Sequence, residues 1–226
     1  MVKIFCDSAD LKQMLAMRSC VQGYTTNPAL MRKAGVTDYR AFAHEVVAAI
    51  PDLPVSFEVF ADEMNEMERQ AREIASWGEN VYVKIPVTNT LGESTAQLIN
   101  TLSGDGVKLN VTAIFTFAQI ETVARSLYAA TPAIMSIFAG RIADTGTCPD
   151  PFFIKARHVK RAQTEILWAS TRELYNIREA ENLCDIITVT PDMLAKMHLF
   201  KHDLAAYSLE TVQMFFNDAQ IAGYQL

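Results

Sequence analysis

The sequence predicts a single (β/α)8 barrel, a TIM barrel, followed by an additional C-terminal helix. Three observations lead there: eight short β-rich runs recur along the chain, segments of helical periodicity separate them, and no Pro-, Gly- or Ser-rich linker interrupts the alternation. A chain of 226 residues, half of them apolar, holds one large core and matches the ~250 residues of one barrel. The expected boundaries are a barrel over residues 1–205 and a helix with tail over residues 206–226.

The β-rich runs are Val2–Asp7, Gly23–Asn27, Val55–Ala61, Val81–Val87, Leu109–Phe115, Ile134–Ile142, Glu165–Ser170 and Ile186–Thr190. Between them, Met64, Met67, Ala71 and Ile74 recur at helical spacing, as do Ile120, Val123, Ala124 and Leu127, so each segment lays an apolar stripe on a sheet. Thr116 with Gln119 fits a capping box, and Ser170 with Glu173 fits another directly after the seventh run. No G-x-G-x-x-G follows the first run, which disfavours an open dinucleotide-binding sheet. Beyond the eighth unit, the amphipathic segment Ser208 to Ala219 carries Leu209, Val212, Phe215 and Phe216. Such a face either caps the barrel or binds a neighbouring subunit.

Composition narrows the function. A net charge of −6 with scattered Lys and Arg argues against a nucleic-acid surface and leaves room for a small anionic ligand. Cys6, Cys20, Cys148 and Cys184 form no C-x-x-C pair and lie near no His, so reduced thiols are expected rather than a metal site or a disulfide framework. No stretch approaches ~18 continuous apolar residues, and the N-terminal MVKIFCDSAD is too charged for a signal peptide. The expectation is a soluble cytoplasmic protein without membrane or nucleic-acid partners.

Strand parity then selects residues. In a barrel, alternate strand residues face the interior, and chemistry gathers where the strands end. In the run from Val81 to Val87, the four alternating apolar residues face the outer helices, which turns Lys84 inward. A buried unpaired ammonium is costly and sheds its proton more readily, which makes the amine a nucleophile. Lys84 is therefore a Schiff-base candidate, with a core ion pair to Glu58 or Asp7 as the competing reading. Lys3 and Lys108 fall at strand starts, on the opposite rim.

By the same parity Glu58 shares a face with Ser56 and Phe60, and Asn110 and Thr112 share one with Ile114, opposite Val111 and Ala113. Asp7 closes the first run, Thr25, Thr26 and Asn27 close the second, and Ser136, Phe138 and Arg141 ride the sixth. Singly, each has a plain reading: Asp7 or Asn27 as a helix cap, Thr112 as a core hydroxyl, Arg141 as a rim ion pair. Their convergence on one end of the barrel favours a site. At the seventh run, Ser170 and Arg172 combine a helix N-terminus with a guanidinium, a setting that fits a phosphate, although Ser170 as a simple N-cap accounts for the same pattern.

These segments resemble transaldolases. The resemblance is carried by Gly-Tyr-Thr-Thr-Asn-Pro at residues 23–28, Val-Tyr-Val-Lys-Ile-Pro at 81–86, Asn-Val-Thr-Ala-Ile-Phe at 110–115, Ser-Ile-Phe-Ala-Gly-Arg-Ile at 136–142 and Ala-Ser-Thr-Arg at 169–172. The five occur in family order over nearly the whole chain. The resemblance implies that Lys84 forms an imine, that Asp7 is the acid–base group at the bond broken, and that Glu58 with Thr112 holds a proton-relaying water. It implies Asn27 and Asn110 at the substrate hydroxyls, Thr25 and Ser136 along the donor, and Arg141, Ser170 and Arg172 at the phosphate. No metal or organic cofactor is implied, since a protonated imine itself withdraws the electrons of the broken bond.

The family also contains aldolases that release dihydroxyacetone instead of passing it on, and these are expected to carry Gln, Tyr and Lys where this chain has Glu58, Phe138 and Arg172. All three residues resemble the transferase side. The short chain and detached C-terminal helix are similar to the small-subunit microbial group, which implies a homo-oligomer, a pentamer or decamer.

Overall fold

Eight parallel strands close on themselves in chain order, and β8 pairs back onto β1. They are β1 (Lys3–Asp7), β2 (Gly23–Thr25), β3 (Val55–Glu58), β4 (Val81–Pro86), β5 (Leu109–Ile114), β6 (Ala133–Ile137), β7 (Thr164–Trp168) and β8 (Ile186–Val189). The helices are α1 (Leu11–Ala16), α2 (Pro28–Lys33), α3 (Tyr39–Ala49), α4 (Met64–Ala75), α5 (Ala96–Gly104), α6 (Phe117–Ser126), α7 (Ala139–Ala143), α8 (Asp150–Val159), α9 (Asn176–Leu183), α10 (Pro191–Ala195) and α11 (Leu204–Ala222). This computed structural model describes residues 1–226. Residues 1–194 form one compact unit and residues 195–226 another.

The alternating apolar residues of the fourth strand segment, Val81, Val83, Ile85 and Val87, are all buried, and α4 packs on β4. Inside the barrel, Phe5, Ile134, Leu167, Ala169 and Ile186 form an apolar plug. On β1, β6 and β8 an inward polar residue follows two positions after the plug residue, Asp7 after Phe5, Ser136 after Ile134 and Thr188 after Ile186, so these strands pass from plug to cavity toward their C-terminal ends.

Four local expectations are corrected. The sixth run does not stay extended to Ile142: Phe138 N–H donates to the Ile114 carbonyl at 3.0 Å, and the chain then coils into α7, placing Arg141 on a helix. The capping box at Thr116 and Gln119 is present, but the one expected at Ser170 is not. Ser170 has φ +62°, and α9 opens only at Asn176, whose Oδ1 accepts the N–H groups of Arg172 and Glu173 at 3.0 and 3.1 Å. The third correction lies in β5, where the register slips between Val111 and Ile114 and Ala113 takes φ +60°. That bulge turns Ile114 to the outer face, opposite Ile137, and brings Ala113 to the interior cavity. Fourth, β3 ends at Glu58, so Phe60 does not continue its inward face; it is 65% exposed and meets Tyr39 edge-on at 5.5 Å.

Candidate active site

Register builds the floor of the site. Glu58 of β3, Lys84 of β4 and Asn110 of β5 stand opposite one another in adjacent pairs, so three inward polar side chains line up across three strands. Lys84 Nζ donates to the Thr26 carbonyl at 2.7 Å and lies 3.1 Å from Glu58 Oε2. The lysine side chain is 8% exposed and the glutamate 19%. The ion-pair reading is therefore correct as geometry, and it does not exclude the nucleophile, since a carboxylate in contact with an amine can exchange a proton with it.

Asn110 is held at both ends, its Nδ2 donating to Ser56 Oγ at 3.0 Å and its Oδ1 accepting from Ser136 Oγ at 2.6 Å. This fixes the amide across β3, β5 and β6. On the other wall, Thr25 stands opposite Asp7 in the β1–β2 ladder and donates to its Oδ1 at 2.7 Å. Burial pushes the Asp7 carboxyl above the ordinary carboxylate range, against the pull of the Lys84 charge and the Thr25 hydrogen bond, while the nearby Glu58 charge adds to the rise. Asp7 does not cap α1; Asp10 does, accepting from Gln13 N–H. Asn27 does cap, its Oδ1 accepting from Leu30 N–H at 3.0 Å, which leaves its NH2 as the group it can offer a ligand.

The rim is made by loops and helix turns. Arg141 lies 5.6 Å from the centre of the Phe138 ring, a cation–π distance. Arg172 pairs with Asp144, both about half exposed. Gly140 makes this rim possible: a Cβ there would sit 1.6 Å from the Ser170 carbonyl oxygen, so only glycine lets the turns after β6 and β7 touch.

All twelve residues picked from the sequence, namely Lys84, Asp7, Glu58, Thr112, Thr25, Asn27, Asn110, Ser136, Phe138, Arg141, Ser170 and Arg172, line one cavity of about 560 Å³ at the C-terminal ends of the strands. Its floor is an amine between two carboxylates with amide and hydroxyl groups around it. Its rim carries two guanidinium groups, which suit an anionic substituent.

A match to the transaldolase/fructose-6-phosphate aldolase family spans residues 4–225. The chain belongs to that family. It is 35% identical over 215 residues to a protein of Streptococcus agalactiae serotype V named "Probable transaldolase", covering 93% of this chain and 95% of that one. A protein of Methanococcus maripaludis strain C5 with the same name is 34% identical over 211 residues, covering 90% and 92%. "Probable transaldolase 2" of Listeria monocytogenes is 33% identical over 220 residues, covering 92% and 93%. Among solved structures, one from Burkholderia cenocepacia J2315 named "putative phosphonomutase" superposes with a TM-score of 0.57 at 13% identity, covering 92% of this chain and 94% of that one. That likeness speaks to the barrel alone.

Within this family member, the sequence reading missed Thr188 in the cavity lining and Gly140 and Asp144 beside the rim. Gly140 was visible only as a glycine after a strand, and its need is tertiary. Thr188 has the inward parity of Ile186 and reaches 2.5 Å from Thr25 Oγ1, a position that parity alone could have revealed. Asp144, the partner of Arg172, carries no sequence signal.

Proposed function

We propose that the protein is a transaldolase that moves a dihydroxyacetone unit from a ketose phosphate, fructose 6-phosphate or sedoheptulose 7-phosphate, to an aldose phosphate through an imine on Lys84. The observation that carries the reading is Lys84 itself, a buried amine at the floor of a polar cavity, in contact with Glu58 and facing Asp7. The amine attacks the ketone carbon, and loss of water leaves the imine. Asp7 takes the proton of the hydroxyl beside the bond that breaks, an aldose phosphate departs, and the enamine left on Lys84 adds to the incoming aldehyde while Asp7 returns the proton. Glu58 and Thr112 hold the water that carries protons during imine formation and hydrolysis. Arg141, Ser170 and Arg172 take the phosphate, and Asn27, Asn110 and Ser136 take the hydroxyl groups.

The test is a coupled assay with fructose 6-phosphate, with and without erythrose 4-phosphate. Sedoheptulose 7-phosphate formed faster than dihydroxyacetone is released supports transfer; equal rates assign the protein to the aldolase branch instead.

The reading includes a homo-oligomer. No residue of α11 is buried, and Leu209, Val212, Phe215 and Phe216 are 58 to 63% exposed. A helix that apolar is covered by a second copy in solution. Truncation after Ala206 dissociates or destabilises the assembly, and a full-length monomer by light scattering contradicts the oligomer.

A further inference from the structure

We infer that Thr188 is a positioning residue for the acid–base carboxylate, acting through Thr25 on Asp7. The inference rests on the reading of Asp7 as the group that moves the proton at the bond broken. Three strands contribute one group each to a single line: Asp7 from β1, Thr25 from β2 and Thr188 from β8. Thr25 donates to Asp7 Oδ1 at 2.7 Å, and Thr25 and Thr188 hydroxyl oxygens lie 2.5 Å apart. Thr25 and Thr188 are 3% and 7% exposed.

Proton counting sets the direction. A hydroxyl has one proton and two lone pairs. Thr25 spends its proton on Asp7, so the proton in the short contact belongs to Thr188, and the chain runs Thr188 to Thr25 to Asp7. Two consequences follow for the carboxylate. Oδ1 already accepts one hydrogen bond, which makes Oδ2 the more available oxygen for the substrate hydroxyl. The incoming bond also polarises Thr25 and makes it a stronger donor, which favours ionised Asp7.

Thr188 is itself fixed. Phe5 of β1 is its ladder partner, and its carbonyl accepts from Thr171 Oγ1 at 2.6 Å, in the turn after β7. The charged and titratable groups around Asp7 are Lys84 of β4 and Glu58 of β3, its neighbour Cys6, and Asp10, Lys33 and Asp192 around a smaller adjoining cavity that Asp7 also lines. Thr188 replaces none of them. Its substitution leaves every charge in place and alters only the hydrogen bond behind Asp7.

The experiment compares Thr188→Val, nearly the same shape without the hydroxyl, with Thr188→Ser, which restores it, and uses Asp7→Asn as the control on the reading. The pH dependence of kcat and the amount of borohydride-trapped imine are measured with fructose 6-phosphate and erythrose 4-phosphate. For Thr188→Val the acid limb of kcat moves up by about half a pH unit and kcat falls several-fold, with KM and trapped imine unchanged. Thr188→Ser restores the profile. A Thr188→Val profile that superimposes on the parent, or a shift that Thr188→Ser fails to restore, overturns the inference. An active Asp7→Asn enzyme instead sinks the role of Asp7, so the two failures are told apart.

Discussion

Lys84 and Arg172 line the same cavity, yet one is 8% exposed and tied to strand neighbours while the other is half exposed and tied to Asp144 on the rim. The floor is set by ladder register: adjacent strands place Glu58, Lys84 and Asn110 side by side, and the Asn110 amide is locked by donating to Ser56 and accepting from Ser136. The rim is set by a single close approach of two turns at Gly140 and Ser170. Under the proposed function, the floor would hold the groups whose protons move at fixed distances, and the rim the charges that need only find an anion. Changes in the floor should cost turnover, and changes in the rim should cost binding.

Short of removing the Lys84 amine itself, the largest effect expected from that contrast is at Asp7. Asp7→Asn lowers kcat by about 10²- to 10⁴-fold, with imine trapping retained, because the amide cannot take the proton. The same variant should be more stable than the parent at neutral pH. The folded state holds the Asp7 proton more tightly than the unfolded chain does, so the parent loses stability as pH rises through the raised pKa. Thermal melts at pH 7.5 and pH 4 check the sign, with the advantage of the variant larger at pH 7.5.

At the rim, Arg141→Ala and Arg172→Ala should raise KM for phosphorylated donors about tenfold each with kcat little changed. That is the low end of the ~1.5–3 kcal/mol of a charge-assisted contact, because both guanidinium groups are exposed. An unchanged KM in both removes them from the phosphate site.

The same contrast explains what the sequence disclosed. Asp7, Glu58, Lys84, Asn110, Thr112 and Ser136 were legible because a side chain's face follows from its place in a strand, and all six lie within observed strands. Arg141 and Ser170 do line the cavity, but their local structure differs from the one the sequence suggests. The coil into α7 and the left-handed turn at Ser170 depend on a contact between segments some thirty residues apart, which no local pattern encodes. The bulge at Ala113 likewise broke the parity of Ile114, since a period-two reading assumes an unbroken ladder.

Between floor and rim stands Phe138, 5.5 Å from Phe115 and under Arg141. Phe138→Tyr adds a hydroxyl near the enamine and should raise dihydroxyacetone release several-fold in the absence of acceptor, with Glu58→Gln raising it further. No release from either variant would detach these residues from the choice between transfer and hydrolysis. The smallest effect is expected from Asp144→Ala, which frees Arg172 from an exposed pair worth about 0.2–1 kcal/mol and should lower KM for the phosphorylated donor about two- to threefold. A higher KM would mean that Asp144 aims Arg172 rather than competing for it.

Lys84 as the nucleophile underlies every role proposed for the cavity. The most direct measurement is borohydride reduction in the presence of fructose 6-phosphate, followed by mass analysis of the digested protein. The expected result is one modified peptide, carrying a reduced adduct on Lys84, and no adduct or turnover in Lys84→Ala despite a folded barrel. An adduct on any other lysine, or turnover that survives Lys84→Ala, would contradict it.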